Sequence, residues 1–412
     1  MKKRNKTSKV VKTLGIFALV VVELAAFYSG YLIGGCRADA ANGGKKSIAQ
    51  IIEGIPGDVK KQEENVSLVD KMLGEMTLSE KIYQMMFVTP ESITGVGTAV
   101  AAGEATKKAV EKYPVGGIIY FSKNFESRAQ TTTMISNTQS YSKIPLFIAV
   151  DEEGGRVARL GSNKAMGTKK QPAMRTIGDS KNPDKAYAVG TELANDLKTF
   201  GFNVDFAPVA DVIVNDKNTE IGDRSFGKDP AMVSEMVKSA VKGLENNGVS
   251  ATLKHFPGHG STYVDSHTGY SASSRTLDEL RSAEFLPFKA GIDADFIMVS
   301  HMTLVNATTE KLPSSLSKEV VTGMLIEELG YKGIIITDAL NMGAIANEYT
   351  GGQAAVKSIK AGCDMVLMPG DINAVHNAIK SAVESGEISE ERIDVSVRKI
   401  LTLKADKGLF DK

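Results

Sequence analysis

The chain has 412 residues, 49 Lys+Arg against 49 Asp+Glu, 42% hydrophobic and 24% charged positions, two cysteines and no tryptophan. These proportions exclude a disordered, collagen-like or disulfide-stapled protein. Zero formal net charge argues against nucleic acid as the main partner, because phosphate binding normally leaves a basic excess.

Lys2, Lys3, Arg4, Lys6, Lys9 and Lys12 precede an apolar run from Leu14 to Gly35 that one acid, Glu23, interrupts. At about 1.5 Å per residue such a run can cross a bilayer. Its basic flank is expected to stay in the cytoplasm, leaving everything after residue 36 outside the membrane. Residues 1–36 therefore read as a signal or membrane anchor and are set aside from the fold. The anchor is either the uncleaved span itself or a lipid on Cys36, since Ile33-Gly34-Gly35-Cys36 resembles a lipoprotein cleavage box. Residues 37–66, rich in Gly, Lys, Glu and Gln and without periodicity, read as a flexible linker.

From residue 67 short apolar runs alternate with longer amphipathic stretches. The expected strands are 84–88, 116–121, 145–151, 203–207, 249–255, 296–301, 333–338 and 364–368, and their near-continuous hydrophobicity suits a parallel sheet covered on both sides. Helices are expected over 184–200, 230–247, 278–293, 317–329, 353–361, 372–385 and, closing the chain, 389–405. Thr77-Leu-Ser-Glu80 has the spacing of a capping box ahead of the first strand. Eight such units spell a (β/α)8 TIM barrel, a single α/β catalytic domain over 67–412. Gly116-Gly117 and Gly154-Gly155 read as backbone turns, because no phosphate-loop spacing surrounds them.

Catalytic groups of such a barrel sit where strands end. Those ends carry Asp151, Asp205 and Asp211, Lys254-His255, His301 and Asp338, too many buried ionisable groups to be explained without a shared pocket. Three histidines fall in the turning segment Lys254-His-Phe-Pro-Gly-His-Gly-Ser-Thr-Tyr-Val-Asp-Ser-His267. In an extended Asp265-Ser-His267 the carboxylate can reach the imidazole, fix its tautomer and raise its basicity, the orienter-and-base logic of hydrolases. His259 is expected to shape this loop, and the methionines Met298, Met302, Met342, Met365 and Met368 to form core or pocket wall. His301 has no partner that the sequence can name.

These strings resemble glycoside hydrolase family 3, and most of all its single-domain branch of β-N-acetylglucosaminidases acting on cell-wall fragments. The resemblance runs in family order through Met76-Thr-Leu-Ser-Glu-Lys81, Asp151-Glu-Glu-Gly-Gly-Arg-Val157, Asn203-Val-Asp-Phe-Ala-Pro-Val-Ala-Asp211, Ile221-Gly-Asp-Arg-Ser-Phe-Gly227, Lys254 to His267, and Ile336-Thr-Asp-Ala-Leu-Asn-Met342. It implies a retaining exo-β-N-acetylglucosaminidase with Asp338 as nucleophile and His267, oriented by Asp265, as general acid/base. It further implies sugar contacts from Asp151, Arg159, Arg224, Lys254 and His255, with neither cofactor nor metal. A phosphorolytic side reaction is conceivable, since a neutral His267 does not repel an anionic acceptor. Glu152 and Ala339 depart from the pattern, which has a glutamine and a second Asp there. Competing readings are a β-glucosidase of the same family, a surface glycan-binding protein without turnover, and a metal-dependent hydrolase using His255, His259, His267 and Asp338. The oligomeric state is not legible.

Overall fold

The computed structural model describes residues 57–262 and 271–411. The apolar run 14–35, Cys36, Asp265 and His267 lie outside the described residues. The chain divides into units Met1–Lys61 and Gln62–Lys412, and the barrel belongs wholly to the second. Among the described residues no helix is long and apolar enough to cross a membrane.

A helix over Gly57–Glu75 begins inside the stretch expected as linker. The next, Leu78–Gln84, starts at the expected capping box. Thr77 N–H donates to Glu80 Oε2 at 2.8 Å and Glu80 N–H to Thr77 Oγ1 at 3.2 Å, so two amide donors that the first turn leaves unpaired are satisfied reciprocally.

Eight barrel strands follow: β1 (Met86–Val88), β2 (Gly117–Ile119), β3 (Phe147–Val150), β4 (Val204–Asp205), β5 (Ser250–Phe256), β6 (Phe296–Val299), β7 (Ile334–Ala339) and β8 (Met365–Leu367). All pair in parallel in sequence order, and β8 returns to β1 to close the barrel. Six lie within an expected run, β5 and β7 each extend one residue past theirs, to Phe256 and Ala339, and the (β/α)8 architecture is the one expected. The barrel interior is filled by rings such as Phe87 against Phe206 at 5.3 Å and Phe147 edge-on to Phe296 at 5.2 Å. Each of these fully buried side chains contributes about 1.5–3 kcal/mol.

The helices Pro183–Phe200, Pro230–Glu245 and Ile372–Glu384 start where Asn182, Asp229 and Asp371 accept first-turn amides, caps that each contribute about 1 kcal/mol. The stretch expected as one helix over 278–293 is two, Leu277–Ser282 and Phe285–Ala290. Pro287 has no N–H, and its ring excludes a helical carbonyl at Ala283; Ala283 leaves the helix at φ −137 and ψ −72. Over Glu319–Glu328 the helix is wide-turned, with Leu329 N–H reaching Met324 O five residues back. Two helices that the sequence did not single out, Glu104–Lys112 and Arg128–Tyr141, complete the first two units.

Gly154 and Gly155 adopt positive φ of 90 and 56, as a turn requires. Gly116 and Gly117 are not a turn: Gly117 opens β2. A Cβ on Gly117 would stand 2.5 Å from the Phe87 ring, and one on Gly116 at 1.9 Å from Gln84 O. They are glycines because the core leaves no room for a side chain.

Candidate active site

β3, β5 and β7 bring Asp151, Lys254, His255 and Asp338 together at the C-terminal mouth of the barrel. They line one cavity of about 270 Å³ with Glu153, Arg159, Glu220 and Arg224, against an apolar wall that includes Phe121, Phe206, Met298, Met342 and Met368. In a regular strand Lys254 and His255 would point to opposite faces. Here the register of β5 against β6 shifts between Leu253 and Phe256, and both side chains reach the cavity. β7 shifts against β8 between Ile336 and Ala339, around Asp338. Such irregularities re-aim side chains beside active sites.

Glu153 organises the cations. Its Oε2 accepts from Arg224 Nε at 2.8 Å, and its Oε1 from Arg224 Nη2 at 2.8 Å and Lys254 Nζ at 2.6 Å. Lys254 Nζ also donates to Asp151 Oδ1 at 2.8 Å. Burial pushes the Glu153 carboxyl up, but the Arg224 and Lys254 charges outweigh it and hold it well below the usual carboxylate range. Arg159 Nη2 stands 3.7 Å from Asp151 Oδ2, and its guanidinium lies over the Phe121 ring. An Asp flanked by Lys and Arg donors can grip vicinal hydroxyls and an acetamido carbonyl. Sequence reasoning missed Glu153. The available signal was a third consecutive acid in Asp151-Glu-Glu153, at a strand end that the barrel must bury.

His255 donates from Nδ1 to Asp211 Oδ2 at 2.7 Å, which leaves Nε2 as the acceptor 3.3 Å from Arg224 Nη2. Asp211 Oδ1 also accepts the His259 N–H at 2.6 Å. Burial pushes Asp211 up, yet His255 and His259 bring it below its ordinary value. Asp211 thus fixes both the ring and the loop that follows. His259 itself shapes that loop, with its ring against Thr262 Oγ1 at 2.9 Å. With both His255 nitrogens engaged, the ring is oriented rather than offered to a cation. Among the described residues no group of three or more His, Cys, Asp or Glu side chains is placed to hold a metal.

Like Asp211, three further groups near strand ends, Asp205, Glu152 and His301, do not line the cavity. Asp205 is fully buried, takes the Glu152 N–H on Oδ1 at 2.9 Å, and burial pushes its carboxyl well up. Glu152 accepts the N–H groups of Leu160 and Gly161 at 2.7 and 2.9 Å, which anchors the segment bearing Arg159. His301 is 1% exposed, and its partners are Ser315 Oγ at 2.8 Å and Ala339 O at 3.0 Å.

Asp338 Oδ1 accepts the N–H of Ala339 at 2.7 Å. Burial would raise its carboxyl; the His255 and His301 rings, that N–H and Lys254 outweigh burial and hold it below its ordinary value. The result is an ionised carboxylate facing a pocket lined with cationic donors, the state a nucleophile needs. Ala339, where the resemblance expects an acid, also lines the cavity. A larger open hollow of about 650 Å³ lies at the opposite end of the barrel, beside the start of β7 and the last helix. Two of its lining charges have ion-pair partners beside it, Arg398 with Asp70 and Asp295 with Lys407.

The family model described as glycosyl hydrolase family 3 N terminal domain matches residues 77–403. A beta-hexosaminidase A of Pseudoalteromonas piscicida is 33% identical over 322 residues, covering 72% of this chain and 54% of its own. A beta-hexosaminidase of Nitrosomonas eutropha is 33% identical over 304 residues, 72% of this chain and 85% of its own. The structure of a glycoside hydrolase family 3 beta-N-acetylglucosaminidase from Paenibacillus sp. str. FPU-7 superposes with a TM-score of 0.76 at 35% identity, over 82% of this chain and 64% of that one. The chain thus spans about half the length of the first of these relatives. It belongs to glycosyl hydrolase family 3.

Proposed function

We propose that this family 3 chain is a retaining exo-β-N-acetylglucosaminidase that removes terminal, non-reducing β-linked N-acetylglucosamine from peptidoglycan fragments or chitooligosaccharides. The observation that carries the reading is the convergence of Asp338 with Asp151, Arg159, Arg224, Lys254 and His255 on one cavity. Its 270 Å³ holds roughly nine waters' worth of liquid volume at about 30 Å³ each, room for a single sugar ring and its substituent. That supports attack at a chain end.

The ionised Asp338 attacks the anomeric carbon while a protonated group donates to the leaving oxygen; water then hydrolyses the glycosyl-aspartate with the same group acting as base. From the sequence alone, that group is His267 oriented by Asp265. Asp151, held by Lys254 and Arg159, and the Arg224–His255 pair position the ring, so that the reaction becomes effectively unimolecular. We further propose, from the basic flank and apolar run of residues 1–36, that the enzyme works outside the cytoplasm on a membrane anchor.

Release of nitrophenol from 4-nitrophenyl β-N-acetylglucosaminide, beside the β-glucoside, tests the reaction. The acetamido sugar should be cleaved in preference, and Asp338→Ala and His267→Ala should each abolish turnover of it. Equal cleavage of both sugars would move the assignment to a β-glucosidase, and ligand binding without release would move it to a glycan-binding protein. Membrane fractionation of the full chain and of Cys36→Ser separates a spanning anchor from a lipid.

A further inference from the structure

The peptide segment that follows Asp338 is gripped from two sides. Asp338 Oδ1 accepts the Ala339 N–H at 2.7 Å, and His301 Nε2–H donates to the Ala339 carbonyl at 3.0 Å. A carbonyl only accepts, so Nε2 carries the proton; Nδ1 is then bare and accepts the Ser315 hydroxyl at 2.8 Å. Burial disfavours the imidazolium, which agrees with one donor and one acceptor on the ring. Ser315 is in turn fixed by its own N–H on Ser300 O at 3.0 Å.

This clamp sits where the regular ladder fails. β7 loses register against β8 between Ile336 and Ala339, and pairing resumes through Leu340 N–H on Leu367 O at 2.9 Å. Next to that shift His301 holds the Ala339 carbonyl. His301 and Ser315 are 1% and 0% exposed, and neither lines the cavity.

We infer that His301, with its tautomer set by Ser315, is a positioning residue that aims the Asp338 carboxylate at the anomeric carbon. The inference rests on the proposed role of Asp338 as nucleophile. A merely structural histidine would affect stability while leaving the split between kcat and KM unmoved. A positioning histidine lowers kcat selectively, because the alignment it secures matters in the transition state and the sugar contacts lie elsewhere.

The test is steady-state hydrolysis of 4-nitrophenyl β-N-acetylglucosaminide by the full chain and by His301→Leu, His301→Gln, Ser315→Ala and Asp338→Ala, with urea unfolding of each. His301→Leu should lose about 100-fold in kcat, the scale of a 1 Å misplacement, with KM within about threefold. Gln can donate to the Ala339 carbonyl and should restore kcat to within about tenfold of the parent. Ser315→Ala, which frees the tautomer, should lower kcat by about tenfold at unchanged KM. The inference is overturned if the Leu and Ala variants keep kcat within about threefold of the parent, or if Gln is no better than Leu. If His301→Leu does not fold, Ser315→Ala and His301→Gln decide by the same criteria. An inactive parent, or an active Asp338→Ala, would instead remove the nucleophile assignment itself.

Discussion

Replacing Glu153 by Gln keeps the shape of the residue and removes the charge that two buried cations share. Arg224 Nη2 and Lys254 Nζ lie 2.8 and 2.6 Å from the same Glu153 oxygen, so they are at most about 5.4 Å apart. At that separation and an effective dielectric near 20, their uncompensated repulsion is about 3 kcal/mol. That agrees with the roughly 3–5 kcal/mol seen when one partner of a buried ion pair is removed. Asp151 still neutralises Lys254 through its 2.8 Å contact, so the lower end of that range, about 3 kcal/mol, is expected. Urea unfolding at pH 7, with equal slopes for both proteins, measures it. The sign with pH follows from a folded-state carboxyl held below its ordinary 4.5. The stabilisation is fully present above about pH 4.5 and is lost as pH falls from there toward the folded value. A difference under about 1 kcal/mol at pH 7, the size of an ordinary surface ion pair, or one that widens on acidification, would refute the argument. The variant should also raise KM if Arg224 and Lys254 contact the sugar as proposed, since they would no longer be held in the cavity.

Asp211→Asn cannot hold the Nδ1–H tautomer of His255 as the carboxylate does, and should cost about 100-fold in kcat/KM; a value within about threefold of the parent would show that His255 orientation is immaterial. Lys404 is fully buried, with its Nζ on Gln84 Oε1 at 2.8 Å, and burial holds its pKa well below 10.5. Wild-type stability should therefore rise with pH up to about 10.5 as the cost of discharging this amine on folding fades. Lys404→Met should flatten that rise, and denaturation midpoints across pH 7–10 would detect a slope that stays unchanged. Asp338 is held below its ordinary 3.8, so kcat/KM should persist on acidification to about pH 4. An acidic limb centred above about pH 5 would mean that Asp338, the proposed nucleophile, is not so stabilised.

Much of the fold was legible because its signals are local. Continuous apolar runs such as Gly333-Ile-Ile-Ile-Thr-Asp338 state both a strand and its stopping point, and Thr77-Leu-Ser-Glu80 states a helix start. The helix Arg128–Tyr141 was not legible, since RAQTTTMISNTQSY buries Thr131 and Thr138 beside Met134 and Ile135 and shows little apolar period. The break at Ala283 was missed, although Pro287 was there to announce it.

Residue types alone determined the list of reactive groups, because ionisable side chains at the ends of buried strands are costly unless they share a cleft. Which of them meet was a tertiary matter. Asp151, Lys254 and Asp338 are separated by up to 187 positions, and barrel closure brings them within one cavity. Asp205, equally promising in sequence, is buried under Glu152 instead. Glu153 and Asp211 acquire their roles from partners 44 to 101 residues away. His301 shows the limit plainly: its neighbours in sequence carry no hint of Ser315 or of the Ala339 carbonyl, because a hydrogen bond is set by the register between strands, and a shift of one residue turns a side chain to the other face.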